Sequence, residues 1–234
     1  MDARPCEVHH LGLLPFREAW ALQREWVERR KAGEISDRLL LLEHPPVITL
    51  GRNSRREHLL TSPEALASEG IEVVETDRGG DVTFHGPGQL VGYLILDLSR
   101  IRKDVVWYVR TLEEAIIRAL RGLEVDCFRR PGMTGVWTAN GKVAAIGIHI
   151  SRWVTSHGLA LNVETNLDYF RHIVPCGIAR CPVTSLRELL GASPGLPRVE
   201  NLLVEHLADL LGLAMQPGAL RHGERRTLCQ SLTC

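Results

Sequence analysis

The sequence predicts a mixed α/β (α+β) fold, a mixed sheet with helices packed against it. Three observations lead there. Short apolar runs of strand length recur along the chain. From Gly135 to Asn162 three of them follow one another through tight turns. Amphipathic helical stretches stand singly among these runs, so there is no regular strand–helix–strand alternation. The 234 residues suffice to bury a full core. A single domain is expected over 1–213, with a loosely ordered tail over 214–234. SPGLPR at 193–198 is the one weak seam.

Taken in order, residues 15–32 place Phe16, Ala19, Trp20, Gln23, Trp26 and Val27 at helical spacing, and Gly33 supplies a stop. Leu39–Leu42 and Val47–Leu50 read as buried strands, split by Pro45-Pro46. Ser62-Pro63 opens a short helix over 63–69, and Ile71–Glu75 is another strand. Asp81–Phe84 forms a short strand between glycine turns, and Leu90–Leu98 a strongly buried one. Residues 104–120 predict a helix with Val105, Val109, Leu112, Ile116 and Leu120 on one stripe. Val125–Phe128, Gly135–Thr138, Gly141–Ile150 and Val154–Asn162 are strands, with Asn140-Gly141 as a hairpin turn. A helix is expected over 182–190, capped by Thr184, and a last one over 202–213.

Composition narrows the function classes. Apolar residues at 44% and charged residues at 24% are those of an ordinary soluble domain. The formal net charge is zero, so no global field draws the chain to nucleic acid or to an anionic membrane. No apolar run reaches the length of a membrane span, and the N-terminus lacks a signal-peptide pattern. A cytoplasmic setting follows as the expectation, with the six cysteines mostly as thiols. The 28 basic residues include only three lysines, at 31, 103 and 142. Lys31 and Lys103 sit among charged neighbours and read as surface groups.

Three stretches carry chemistry. RGGDVTFHGPGQL, from Arg78 to Leu90, sets polar Arg78, Thr83, His85 and Gln89 between glycines that leave the backbone open to close approach. It matches neither common nucleotide fingerprint. The competing reading is a hairpin with two glycine turns. Lys142, in NGKVAAIGIHI, leads into a buried run; desolvation there makes an amine a usable base, while a plain turn lysine would point at water. Cys176, in IVPCGIA, sits between a proline and a glycine, which suits a nucleophile facing backbone N–H groups, or else a small buried hydrophobe. His172, Cys176 and Cys181 lack the tight spacing of a zinc site, so no metal is expected. His85, His149, His157 and His172 are open candidates for a base beside the cysteine.

RGGDVTFHGPGQLVGYLILDL, RPGMTGVW, GKVAAIGIHISRWVTSHGLALNV, YFRHIVPCGI and VTSLREL, in that order, resemble the lipoyl(octanoyl) transferases from about Leu39 to Leu190. The resemblance implies the fold shared by biotin and lipoate protein ligase catalytic domains. It implies transfer of an octanoyl group from octanoyl-acyl carrier protein to one lysine of a lipoyl domain, the first step of endogenous protein lipoylation. The acceptors implied are lipoyl domains of 2-oxoacid dehydrogenase complexes and the glycine cleavage H protein. The acyl-thioester cysteine falls on Cys176, and the lysine that tunes it on Lys142. Substrate-binding segments fall on Arg78, Gly79, Gly80, Asp81, Val82, Thr83, Phe84 and His85, on Ala145, Ile146 and Gly147, and on Gly158, Leu159 and Ala160. No cofactor is implied. His149 stands where the family often has Arg, and Leu94 where Pro is common.

On this reading the glycines of 79–88, Gly147 and Gly158 form a floor without side chains for a fatty thioester. Arg clusters at 52, 55, 56 and 129–130 would dock the protein substrates, or form a solvated charged face. Competing functions are an ATP-dependent lipoate or octanoate ligase on the same fold, a non-catalytic acyl-binding module, and a cysteine hydrolase.

Overall fold

The computed structural model describes residues 3–174, 182–220 and 224. An eight-stranded sheet forms its centre. In spatial order its strands are β11 (Leu213–Pro217), β1 (Arg4–Leu13), β2 (Asp37–Glu43), β6 (Gln89–Ile95), β10 (Val154–Asn162), β9 (Gly141–Ser151), β8 (Met133–Thr138) and β7 (Phe128–Arg130). Strand β1 runs parallel to both its neighbours, and every other pairing is antiparallel. A small second sheet sets β3 (Val47–Leu50) between β4 (Glu72–Glu75) and β5 (Val82–His85).

The alternation of side chains along the central strands explains the layering. Leu39 and Leu41 of β2, Leu90 and Leu94 of β6, and Leu159 and Leu161 of β10 face one side. There they pack under α3 (Val105–Arg121) and α5 (Leu196–Leu211). Leu40 and Leu42 of β2, Val91, Tyr93 and Ile95 of β6, and Ala160 of β10 face the other side, against α1 (Phe16–Lys31). Ile48, Val82 and Phe84 of the small sheet close a separate cluster with Leu66 of α2 (Pro63–Ser68).

The mixed α/β expectation holds, and several details differ. Strand β1 has no counterpart in the apolar pattern, because its sequence is largely polar: Cys6 and Val8 join the core under α3 and α5, while His9 turns to the other face against Trp26. The chain beyond 213 is not loose at its start. Residues Leu213–Pro217 pair with Arg4–Val8, and Glu224 is buried. The 104–120 stripe is turned, leaving Val105 exposed and putting Tyr108 in the core beside Leu112 and Ile116. Helix α5 starts at Leu196, where Gly195 at φ +81° and Pro197 begin it inside the predicted seam. The helix expected from 182 is α4 (Leu186–Leu190), capped by Ser185 rather than Thr184. Its start is delayed because the backbone of Pro182 and Thr184 is engaged by Lys142. Strand β7 lies three residues later than expected, since Val125 and Cys127 turn into the core first. Lys31 is half-buried, held by Glu28 and Ser151.

Candidate functional site

A cavity of about 310 Å³ lies between the β9–β10 ladder and the chain from Arg78 to His85. It is lined by Arg78, Gly80, Asp81, Val82, Thr83 and His85, by Lys142, Ala145, Ile146 and Gly147, and by Gly158, Leu159 and Ala160. Two segments remote in sequence thus meet on a third. Of the residues implied for substrate binding, Gly79 and Phe84 do not line it. Phe84 points into the small sheet, stacked on Tyr169 at 4.8 Å, as alternation along β5 requires. Cys176 and Cys181 lie outside the described residues.

Arg78 is buried and fully directed. Its Nε donates to Thr49 Oγ1 at 3.1 Å, and its Nη2 donates to Thr49 O at 2.6 Å. Gly79 N–H donates to Ile148 O at 2.8 Å, pinning the loop to β9. Gly147 allows that approach, since a Cβ there would stand 2.9 Å from Gly79 O and 3.3 Å from Arg78 Cδ. Gly158 has the same kind of neighbour, with Gly92 O 2.2 Å from its would-be Cβ. The space freed by these two glycines is therefore filled by the chain itself, and the cavity opens beside them.

His85 donates from Nδ1 to Gln89 Oε1 at 2.7 Å. Gln89 Nε2 donates to Asn162 Oδ1 at 2.9 Å, and Asn162 Nδ2 donates to Thr184 O at 3.0 Å. Burial, with His44 and Arg78 nearby, holds the His85 imidazole well below its ordinary range, so it is neutral at neutral pH. The ring's one proton is spent on Gln89, so Nε2, 3.5 Å from Thr49 Oγ1, is left as an acceptor.

Lys142 is buried at 6% exposure, so the turn-lysine alternative does not describe it. Its Nζ sits 5.4 Å from the Trp137 ring centroid, within cation–π reach. Its backbone accepts from Thr184 N and donates to Pro182 O at 2.8 Å, so the chain resuming at Pro182 is laid along β9. The glycine of the Asn140-Gly141 pair serves this approach, not the turn. Ala139 and Asn140 make the hairpin, and a Cβ on Gly141 would lie 2.5 Å from Pro182 O.

His157 lines the opposite end of the ladder, with its neighbour Gly158 paired to Gly147. It has φ +56° and donates to Asp77 Oδ1 at 2.8 Å. That hydrogen bond holds the Asp77 carboxyl down at about 2, while burial pushes His157 below its ordinary value. Trp20 Nε1 donates to the same Asp77 oxygen, and His149 stands 3.7 Å from the other. His149 is outside the cavity, and Leu94 is buried in the main core. His172 is tied to Thr61 Oγ1 at 2.9 Å. Among the described residues no three His, Cys, Asp or Glu side chains are grouped to hold a metal ion. No helix of the described residues is long and apolar enough to cross a membrane.

Sequence reasoning did not single out Phe16, Asn53, Tyr93, Met133, Thr134 or Trp137 as lining residues. The last three belong to RPGMTGVW, a motif that was legible without a role. Phe16 and Tyr93 look like ordinary core aromatics, and only the packing of α1 over β6 brings them to the cavity.

Residues 15–208 match the lipoyl protein ligase A/B catalytic domain. The chain is similar to an octanoyltransferase of Solibacter usitatus, 50% identical over 216 residues, 92% of this chain and 97% of that one. It is also similar to an octanoyltransferase of Koribacter versatilis, 54% identical over 205 residues, 86% of this chain and 82% of that one. Among solved structures, a bipartite lipoate protein ligase from Thermoplasma acidophilum superimposes with a TM-score of 0.77 at 18% identity, over 97% of this chain and 91% of that one. Biotin protein ligase from Aquifex aeolicus gives 0.52 at 13% identity, over 90% and 69%. At such identities the two ligases speak for the fold alone. With a family match spanning most of the chain and relatives identical at half their positions, the chain belongs to the octanoyltransferase family and is an acyltransferase.

Proposed function

We propose that the enzyme transfers an octanoyl group from octanoyl-acyl carrier protein to one lysine of a lipoyl domain. Cys176 carries the acyl group between them, and Lys142 moves the protons. The observation that supports this most is Lys142 itself. It is one of three lysines, it is buried in the cavity wall, and its backbone holds the chain that resumes at Pro182, six residues beyond Cys176. The role of Cys176 rests on its motif, IVPCGI, and on the resemblance.

In the first half-reaction the Cys176 thiol passes its proton to Lys142, and the thiolate attacks the thioester carbonyl. The tetrahedral adduct collapses, the carbon–sulfur bond to the carrier breaks, and the carrier thiolate takes the proton back. In the second, the acceptor lysine amine attacks the acyl-cysteine and gives its proton to Lys142. The Cys176 thiolate leaves and an amide remains. The thioester is already activated, so the balance closes without ATP. A cavity of about 310 Å³ is at the small end of ligand sites, as an acyl chain requires. Burying that chain supplies roughly 0.8 kcal/mol per methylene. Lipoyl domains of 2-oxoacid dehydrogenase complexes and the glycine cleavage H protein are the acceptors on this reading, in the cytoplasm.

Intact mass after mixing with octanoyl-carrier tests it, beside Cys176→Ala and Lys142→Ala. The expected result is one octanoyl adduct on the wild type, removed by hydroxylamine and missing from Cys176→Ala. Product formed only from free octanoate with ATP would overturn the reading in favour of a ligase. Free octanoate released at a rate indifferent to the lipoyl domain would make it a hydrolase.

A further inference from the structure

Glu113 of α3 is wholly buried, at 0% exposure. A carboxylate taken out of water needs charge and hydrogen-bond partners to offset the loss. Its Oε2 accepts from Arg110 Nη1 at 2.7 Å and from Arg129 Nε at 3.1 Å. Arg129 is braced in turn, with Nη2 donating to Glu114 Oε2 at 2.6 Å and to Arg110 O at 3.1 Å. The other oxygen, Oε1, accepts from the backbone N–H of Gly135 at 2.9 Å. None of these residues lines the cavity.

Gly135 is the link to the site. It has φ +122°, a conformation side chains disfavour, and a Cβ there would stand 2.5 Å from Lys142 Cε and 3.2 Å from Nζ. The end of the lysine therefore rests against this backbone. The β8–β9 ladder does not fix Gly135 by itself, because its register breaks between Val136 and Trp137. Glu113 supplies an acceptor for Gly135 N–H beside that break.

We infer that Glu113 is a positioning residue, which fixes the Gly135 backbone and through it the place of Lys142 Nζ in the cavity wall. The two arginines hold the carboxylate, the carboxylate holds the amide, and the bare α-carbon of Gly135 takes the lysine. The consequence for turnover rests on the proposed proton-moving role of Lys142. The consequence for where the amine sits does not.

The small number of lysines makes the test direct. Protein grown with lysine carrying ¹³C at Cε gives three side-chain signals, and Lys142→Arg identifies one of them. In Glu113→Ala, and in Glu113→Asp if the alanine variant does not fold, the Lys142 signal is expected to shift. Those of Lys31 and Lys103 stay. Glu113→Asp keeps the charge for the arginines and withdraws the carboxylate from Gly135 by one methylene. Glu113→Gln keeps an acceptor for Gly135 N–H and is expected to restore the Lys142 signal most of the way. Turnover should fall on the order of tenfold in Glu113→Asp, with the KM for octanoyl-carrier changed less than about twofold. An unmoved Lys142 signal in a folded Glu113→Ala or Glu113→Asp protein overturns the inference, as does equal movement of all three signals. Should Lys142→Ala keep full turnover, the proposed mechanism fails while the signal still reports on Glu113.

Discussion

Acidification should destabilise this fold well above the pH at which carboxylates protonate, and His44 provides a measurable part of the effect. Its ring is wholly buried, donating from Nδ1 to Leu14 O at 2.6 Å and accepting at Nε2 from the Tyr93 hydroxyl at 2.8 Å. Both nitrogens are satisfied only in the neutral form. Burial therefore lowers its protonation to about 4, from an ordinary value of 6.5. Below pH 6.5 the unfolded chain takes up a proton here that the folded chain refuses. The unfolded state then binds more protons, so stability falls as pH falls, and the loss ends near pH 4, where the folded ring protonates too. Each tenfold difference in proton affinity is worth about 1.4 kcal/mol, giving about 2 kcal/mol lost by about pH 5 and about 3 kcal/mol in full. His85 and His157 act in the same direction, while Asp77 contributes only in more acid solution. Urea unfolding of wild type and His44→Gln at about pH 7.5 and about pH 5 measures the term. The variant should be less stable at the higher pH and lose about 2 kcal/mol less than wild type between the two. An unchanged difference between the two pH values would refute the reasoning, because it would mean that His44 is already charged or that its ring is not desolvated.

Two further substitutions probe how the cavity wall and the C-terminal chain are held. Gly147→Ala drives a methyl toward Gly79 O, a backbone atom that cannot swing away. A cost of about 1–3 kcal/mol in thermal unfolding is expected, with impaired acyl transfer as Arg78 shifts; unaltered stability would mean that the Arg78–Gly79 segment is not pinned to β9. Glu224 accepts from Arg38 Nη1 at 2.8 Å, Arg29 Nη1 at 2.9 Å and Trp26 Nε1 at 3.0 Å, and both Glu224 and Arg38 are nearly inaccessible. Glu224→Ala leaves the buried Arg38 guanidinium with Glu7 alone, at 3.3 Å, and should cost about 3–5 kcal/mol, whereas a loss below about 1 kcal/mol in urea unfolding would show that Glu7 or water compensates the charge.

The sequence by itself determined the elements that bury two faces or one clean stripe. The central strands β6, β9 and β10 read directly, because their apolar runs and tight turns leave little choice of conformation. It also identified both long segments of the cavity, since glycines beside Arg78 and His85, and a lysine heading a buried strand, are unusual wherever they fold. Strand β1 escaped because a parallel strand beside the sheet edge can be half polar, with His9 and Arg38 buried through partners distant in sequence. The start of α4 escaped because it depends on a backbone pairing with Lys142, forty residues earlier. Only the tertiary structure decided that Phe84 turns away from the cavity while Phe16 and Tyr93 turn into it. Only it decided that Gly135 and Gly147 make room for parts of the chain. A glycine announces that something comes close, but what comes close is set by which strands pair and in what register.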